Sequence, residues 1–194
     1  DAFVKAGQWA QGPFPLQRKM SGSRLGIVGM GRIGQAIATR ALAFGMAVSY
    51  TARNARPALP YRFVPSVQEL AGGSDFLVVI TPGGAATRKM INAEVLKALG
   101  AKGFLVNVAR GSVVDESALI DALEKGVIAG AALDVFESEP QVPERLRVLP
   151  NVVLTPHIGS ATAHTRHAMA DLAFNNLRLR LDGQAVLTPV PECV

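Results

Sequence analysis

The chain alternates short, continuous apolar runs with longer segments in which apolar residues recur every three or four positions. Continuous apolar runs of about four to eight residues are typical of buried strands, whereas the wider spacing is typical of amphipathic helices. The predicted strands are 24–29, 46–50, 75–80, 103–108, 127–134 and 151–154. The predicted helices are 31–44, a short one opened by the capping box of Ser66 and Glu69, one capped by Asn92 and ended by Gly100, 115–125 and 162–182.

Strands and helices alternate along the chain, a pattern typical of a parallel sheet that helices cover on both faces. Because crossovers between parallel strands are right-handed, the sequence predicts an α/β fold with a doubly wound, Rossmann-like parallel sheet. A ligand crevice is then expected at the carboxyl ends of the strands. In the last helix, we expect one face to be buried, formed by Met169, Leu172, Ala173 and Leu177.

Composition excludes several classes of protein. Of the 194 residues, 49% are hydrophobic and 18% are charged, which is a globular balance and not that of a disordered chain. No apolar run approaches the ~20 residues of a membrane span, and the single cysteine, Cys193, excludes an intrachain disulfide framework. The net charge of +5 comes from dispersed basic residues. We therefore expect a soluble cytoplasmic protein that binds neither nucleic acid nor membrane, and we predict no metal site.

A glycine-rich motif, GMGRIG, follows the first predicted strand and opens an amphipathic helix. In this setting Gly29 allows a tight turn, Gly31 lets the backbone approach a pyrophosphate, and Gly34 lets helix and strand pack closely. The free N–H groups at the helix start, where Arg32 and Ile33 lie, point at the anion. The motif predicts a dinucleotide site, and a tight turn without a ligand is the alternative.

The second predicted strand ends in YTARNAR, which has no acidic residue to bind a ribose 2′-hydroxyl. Arg53, Asn54 and Arg56 are suited to a 2′-phosphate instead, because a guanidinium binds phosphate through two parallel hydrogen bonds. We therefore predict that NADP(H) is preferred over NAD(H). Two solvent-facing arginines without a ligand are the alternative.

Three further polar motifs follow predicted strands. Arg110 lies in NVARG, Asp134 and Glu139 lie in LDVFESEP, and His157 lies in PHIGS. Because parallel strands end at the same edge of a sheet, we expect these side chains to converge there. Histidine is suited to donating a proton near neutral pH, a neighbouring carboxylate stabilises imidazolium, and arginine offsets charge that develops on oxygen.

Together with GMGRIG, these motifs resemble the D-2-hydroxyacid dehydrogenase family. The stretches YTARNAR, PHIGSATAHTR and NNL are most similar to its glyoxylate/hydroxypyruvate reductase branch. The resemblance implies that Arg110 holds the substrate, Glu139 pairs with the general acid/base His157, Asp134 contacts the nicotinamide amide, and Ser160 contacts substrate. It also implies that a further set of residues lines the cofactor: Thr81, Pro82, Thr87, Val108, Ala109, His157 and Gly159.

The resemblance implies NADPH-dependent reduction of glyoxylate or hydroxypyruvate to the D-2-hydroxy acid. The alternatives are another 2-hydroxy acid, such as 2-ketogluconate or phosphoglycerate, and a dinucleotide-sensing corepressor built on the same fold. A homodimer is also implied, with Phe3, Trp9 and Phe14 as candidate contacts.

Family members have two domains, and we expect this chain to carry mainly one of them. The expected parts are an arm or linker over 1–20, a dinucleotide-binding domain over 21–183 and a tail over 184–194 that belongs to a missing substrate domain. The isolated chain is therefore expected to be weakly active or inactive, with a mobile tail that lacks its docking partner.

Overall fold

In residues 2–190, which the computed structural model describes, seven strands form one parallel sheet. The strands are β1 Arg24–Val28, β2 Ala47–Thr51, β3 Arg62–Phe63, β4 Phe76–Val79, β5 Phe104–Asn107, β6 Gly130–Leu133 and β7 Val152–Leu154. Their order is β3-β2-β1-β4-β5-β6-β7, and every adjacent pair is parallel. The chain moves outward from β1 on one side and from β4 on the other, so the predicted doubly wound fold is confirmed. The crevice expected for such a sheet opens between β1 and β4.

Polar side chains cap four of the helices, and two of these caps, Ser66 and Asn92, are predicted from the sequence. The helices are α1 Ala2–Lys5, α2 Arg32–Leu42, α3 Val67–Gly72, α4 Ala93–Leu99, α5 Glu116–Glu124, α6 Glu144–Arg147 and α7 Ala163–Leu181. The side chains of Ser66, Asn92, Asp115 and Thr162 each accept a hydrogen bond from the backbone N–H three residues later. Such bonds satisfy N–H groups that the first turn leaves free, so each cap fixes where its helix begins.

Two buried clusters cover the two faces of the sheet. Alternate residues of a strand point to opposite faces, and here Val28 enters the cluster under α3, α4 and α5 while Ile27 enters the cluster under α2. Leu77 and Val78 of β4 divide in the same way. The central strands are thus held from both sides, which fixes the positions of their carboxyl ends.

The strand β3 was not among the predicted elements. It has two residues, which pair with Ser49 and Tyr50 of β2. A run this short carries no periodic pattern, so only the neighbouring strand makes it recognisable.

The prediction of a buried face on α7 is wrong for this chain. Met169 is 51% exposed, Leu172 41% and Leu177 59%, and Ala173 is exposed as well. Phe174, which is not part of the predicted face, is a large apolar residue and is exposed too. No residue of this helix is buried. Across the part of the chain that the structure describes, α7 included, no helix combines the length and the apolar character that crossing a membrane requires.

The tail was expected to be mobile, and over residues 184–190 it instead has a partner in α7. The Asn176 carboxamide oxygen accepts hydrogen bonds from the N–H groups of Leu187, at 2.8 Å, and Thr188, at 3.3 Å. Its amide nitrogen donates to the Thr188 hydroxyl at 2.7 Å. Asn176 thereby folds the tail back along the helix. Residues 191–194, with Cys193, lie outside the described residues.

An ion cluster around the buried Asp75 ties the segment before β1 to the amino-terminal edge of the sheet. Asp75 binds the guanidinium groups of both Arg18 and Arg24, each at 2.7 Å, and accepts the Arg24 backbone N–H at 2.8 Å. Hydrogen bonding from Arg24 lowers the pKa of Asp75 to about 2, against the opposing effect of burial. In the folded chain this carboxylate is therefore ionised at neutral and mildly acidic pH.

This cluster predicts an acid dependence of stability. Because the pKa of Asp75 is lower in the folded chain than the ~3.9 of an unfolded one, its contribution is complete above pH ~4 and is lost as the pH falls toward 2. We expect the difference in free energy of unfolding between wild type and Asp75→Asn to shrink across this window in urea titrations. Asp171→Asn, at an exposed position on α7, is the control. A difference that does not change with pH would contradict the assignment.

Candidate active site and dinucleotide crevice

The glycine turn between β1 and α2 has the geometry that its motif predicts. Gly29 has a φ of +106°, and a Cβ there would lie 2.9 Å from the backbone of Ile80 and Thr81. A Cβ on Gly34 would clash with the Gly29 carbonyl oxygen, whereas one on Gly31 would meet nothing within 4 Å. The turn is therefore tight, the helix packs closely on it, and open space remains beside Gly31.

The start of α2 leaves backbone donors available to a ligand. Gly31 is the N-cap and supplies no side-chain hydrogen bond. Arg32 and Ile33 are exposed in the first turn, with Ile33 at 60%. Free N–H groups and the positive end of the helix dipole favour an anion at this position. The residues present thus fit the pyrophosphate of a dinucleotide.

The loop after β2 places three predicted phosphate ligands next to this turn. Thr51, the last residue of β2, accepts the Gly29 N–H at 2.9 Å, and Arg53, Asn54 and Arg56 follow it, all exposed. Two guanidinium groups and an amide, with no carboxylate among residues 52–60, form a cationic surface beside the crevice.

Two loops that follow β4 and β5 form the next part of the edge. The Thr87 hydroxyl donates to the Pro82 carbonyl oxygen at 2.7 Å and closes the first loop, which begins at Thr81. In the second loop Val108 is 37% exposed, whereas Ala109 is buried. The N–H of Ala109 donates to Asn107 and its carbonyl accepts from Arg110, so the exposed contact surface of this segment lies on Val108.

Arg110 is held at the end of β5 by a residue to which the sequence analysis gave no role. The Asn107 side chain is 1% exposed, accepts the Ala109 N–H at 3.1 Å and donates to the Arg110 carbonyl oxygen at 3.1 Å. The exposed Arg110 side chain lies beside Gly83, where an added Cβ would come within 3.0 Å of the Arg110 Cγ. An asparagine directly before a tight polar turn is the only sequence signal for this arrangement.

Glu139 and His157, predicted as a pair, lie in direct contact. The His157 Nδ1 is 2.8 Å from one carboxylate oxygen of Glu139, and the other oxygen accepts the Phe136 N–H at 3.0 Å. The hydrogen bond with His157 lowers the pKa of Glu139 against the effect of burial, and the positive charge of Arg110 adds to the lowering. The three predicted catalytic side chains therefore share one electrostatic environment at the carboxyl edge of the sheet.

Asp134 supports the loop that carries His157. Its carboxylate accepts the Thr155 hydroxyl and the N–H groups of Ile158, at 2.9 Å, and Gly159, at 3.0 Å. Burial tends to raise the pKa of Asp134, but these three hydrogen bonds outweigh it and the pKa is lowered. His157 has a φ of +53°, which is uncommon for a residue with a Cβ. The hydrogen bonds on both following residues hold it there.

The remaining candidates lie on the same loop or on the helix after it. Ser160 is half-buried just before the Thr162 cap of α7, on the loop that carries His157 and Gly159. His164 and His167, interpreted from sequence as surface residues, are exposed on α7. The structure thus brings Arg110, Glu139 and His157 together and leaves the other two histidines on the surface.

The family model for the D-isomer specific 2-hydroxyacid dehydrogenase NAD binding domain matches residues 1–159. The chain belongs to this dehydrogenase family. The matched region contains the glycine turn, the arginine loop and the complete Arg110, Glu139 and His157 constellation. The resemblance stated from the motifs is thereby confirmed.

Several members of the dehydrogenase family are similar to almost all of the chain. Glyoxylate/hydroxypyruvate reductase A of Arabidopsis thaliana is 52% identical over 190 residues, and 2-ketogluconate reductase of Gluconobacter oxydans is 47% identical. Among solved structures, an NADPH-dependent glyoxylate/hydroxypyruvate reductase of Sinorhizobium meliloti in complex with NADP and malonate superimposes with a TM-score of 0.93 at 49% identity. The alignment with this structure covers 98% of the chain.

The chain spans about three fifths of the length of these dehydrogenases. It covers 61% of the Arabidopsis reductase and 60% of the Sinorhizobium structure. The comparison therefore covers only the part of each relative that aligns with this chain.

Removing the Asp134 carboxylate should loosen the His157 loop. In Asp134→Ala the Ile158 and Gly159 amides lose their acceptor, so we expect their hydrogen exchange to become about tenfold faster or more. Exchange of peptides covering residues 155–161, followed by mass spectrometry, measures this effect. Asp171→Ala, at an exposed α7 position, should leave these peptides unchanged. Unchanged protection in Asp134→Ala would show that other contacts hold the loop.

Proposed function

We propose that this chain supplies the cofactor domain and the catalytic side chains of an NADPH-dependent reductase of small 2-keto acids. Glyoxylate and hydroxypyruvate are the proposed substrates, and the D-2-hydroxy acid is the product. The observation that carries the proposal is the 2.8 Å contact between Glu139 and His157 beside Arg110, at the same sheet edge as the glycine turn.

In the proposed reaction each side chain has one task. The dinucleotide, when bound along Gly29, Gly31 and the start of α2, supplies the hydride. Arg110 binds the substrate carboxylate and offsets the negative charge that develops on the carbonyl oxygen. Because Glu139 occupies Nδ1 of His157, the Nε2 N–H is directed elsewhere and donates its proton to that oxygen. Glu139 is ionised because its pKa is lowered, and its hydrogen bond to Nδ1 fixes the orientation of the His157 ring.

The proposed preference for NADPH depends on the loop after β2. Its cations lie next to the glycine turn, and no carboxylate is present among residues 52–60 to bind a 2′-hydroxyl. The name of the Sinorhizobium relative describes it as NADPH-dependent, and its structure holds NADP. Both observations favour NADPH over NADH for this chain.

A second candidate substrate is also favoured. A 2-ketogluconate reductase at 47% identity favours a larger sugar acid as the second candidate. The relatives named above are reductases, which favours an enzyme over the dinucleotide-sensing corepressor. We propose that a second domain completes the substrate pocket and that the 194-residue chain alone turns over weakly or not at all.

Assembly and location belong to the same proposal. Trp9 and Phe14 are 69% and 57% exposed on the amino-terminal arm, and Phe14 contacts Phe3 with ring centroids 5.1 Å apart. An exposed aromatic cluster of this kind favours a homodimer contact, which light scattering would check. The single cysteine is consistent with the cytoplasm, and cell fractionation tests that location.

Replacing the proposed acid tests the reaction itself. In the protein at its full encoded length, we expect NADPH-dependent reduction of glyoxylate, and we expect His157→Gln to lower kcat by about 10²-fold or more. His167→Gln, on the exposed surface of α7, is the matched control. Near-normal turnover by His157→Gln would exclude the assigned role, and no turnover by the wild type with any 2-keto acid would exclude the proposed function.

Neutralising the loop cations tests cofactor preference. We expect wild type to bind NADPH more tightly than NADH, and Arg53→Ala with Arg56→Ala to remove about tenfold or more of that preference, since a charge-assisted hydrogen bond is worth about twice a neutral one. Arg147→Ala removes one arginine from the exposed surface of α6 and should have no effect. Isothermal titration of both dinucleotides gives the ratio. Equal affinities in wild type would contradict the preference.

A further inference from the structure

A buried tyrosine lies beneath the loop that carries the proposed 2′-phosphate ligands. Tyr50 is the fourth residue of β2 and is 1% exposed. Its phenol oxygen accepts the backbone N–H of Arg56 at 2.7 Å and lies 3.5 Å from the carbonyl oxygen of the same residue. The short contact is a strong hydrogen bond by its length, and the long one is at the limit for a bond. A core side chain thus reaches out to a single point of an exposed loop.

The hydroxyl is fixed because the rest of Tyr50 belongs to the sheet. Its backbone pairs in register with Ile27 of β1 and Phe63 of β3, and its carbonyl accepts the Val64 N–H at 2.8 Å. Its ring also packs against that of Phe63, with centroids 5.5 Å apart. The phenol oxygen is therefore a rigid reference point.

The conformation of the loop depends on the hydrogen bond to Tyr50 more than on side-chain packing. Residues 53–58 are all exposed, and the Arg56 carbonyl oxygen also accepts the Leu59 N–H at 3.0 Å. Arg56 thus connects the middle of the loop to the core through Tyr50, and to the later part of the loop through Leu59. Without that tie, the positions of Arg53 and Asn54 relative to the glycine turn are set only by the two ends of the loop.

We propose that the Tyr50 hydroxyl is a positioning group that sets the preference for a 2′-phosphorylated dinucleotide, an inference that rests on the cofactor preference proposed above. A loop that is ordered before binding does not lose that conformational entropy when the phosphate arrives. A dinucleotide with a plain 2′-hydroxyl presents no phosphate to these cations. The benefit of a fixed loop therefore falls on the phosphorylated ligand alone.

Tyr50→Phe separates this role from a structural one. Phenylalanine retains the ring that packs against Phe63, and Arg56 lies in an exposed loop, where water can bind its N–H once the hydroxyl is gone. The variant is thus expected to fold. Tyr61→Phe is the matched control, because it also removes a hydroxyl from this loop. The Tyr61 hydroxyl makes none of the hydrogen bonds found among the described residues.

The experiment is isothermal titration of the 194-residue chain and both variants with NADPH and NADH, and with adenosine 2′,5′-bisphosphate and 5′-AMP as probes without a nicotinamide. Circular dichroism checks folding. In Tyr50→Phe we expect the Kd for NADPH and for the bisphosphate to rise about fivefold, the scale of one hydrogen bond. The Kd for NADH and 5′-AMP should stay within about twofold of wild type, and Tyr61→Phe should match wild type throughout.

The outcomes are distinct. If Tyr50→Phe leaves the ratio of the Kd values for phosphorylated and plain ligands unchanged, the hydroxyl has no role in preference and the inference is wrong. If wild type and Tyr61→Phe both bind NADH as tightly as NADPH, the proposed cofactor preference is wrong, and the inference falls with it. A Tyr50→Phe chain that does not fold would place the hydroxyl in general stability, which also overturns the inference.

Discussion

The carboxyl ends of β5 and β6 lie side by side, and the candidate site depends on that alignment. Asn107 and Leu133 are partners in the register of the two strands, and the Asp134 N–H extends the ladder to the Asn107 carbonyl oxygen at 3.0 Å. Each strand then leads into a buried polar side chain that holds a loop of the proposed site: the Asn107 amide holds the turn of Arg110, and the Asp134 carboxylate holds residues 155–159. The loops are thus fixed through the sheet, which is stiffer than either loop.

Close backbone approach brings the arginine loop to the glutamate. A Cβ on Gly111 would clash with the backbone of Phe136, whose N–H binds Glu139. Glycine at this position therefore lets the segment after Arg110 lie against the segment that orients the carboxylate. The anion is stabilised by His157 on one side and by the charge of Arg110 on the other.

Much of this arrangement could be predicted from sequence because it depends on local patterns. Continuous apolar runs predict the strands, the caps Ser66 and Asn92 predict two helix starts, and Arg110 and His157 are candidates because each follows a strand of a parallel sheet. Features that depend on distant partners were missed. The roles of Asn107 and Tyr50 arise from hydrogen bonds to loop backbone, which no spacing encodes. The exposed face of α7 was assigned to the core because amphipathic spacing shows which residues share a face but not whether another element covers it.

The order of the strands also separates the two tasks of the proposed enzyme. The loop after β2 lies on one side of the crevice between β1 and β4, and the loops after β5, β6 and β7 lie on the other. Among the described residues, hydrogen bonds link the loops of the proposed catalytic site to one another, whereas the hydrogen bond of the Tyr50 hydroxyl stays within β2 and its own loop. Groups that share no partner contribute almost independently to binding and catalysis. The proposed cofactor preference is therefore expected to change by substitutions around residues 50–56 while the contact between Glu139 and His157 keeps its geometry.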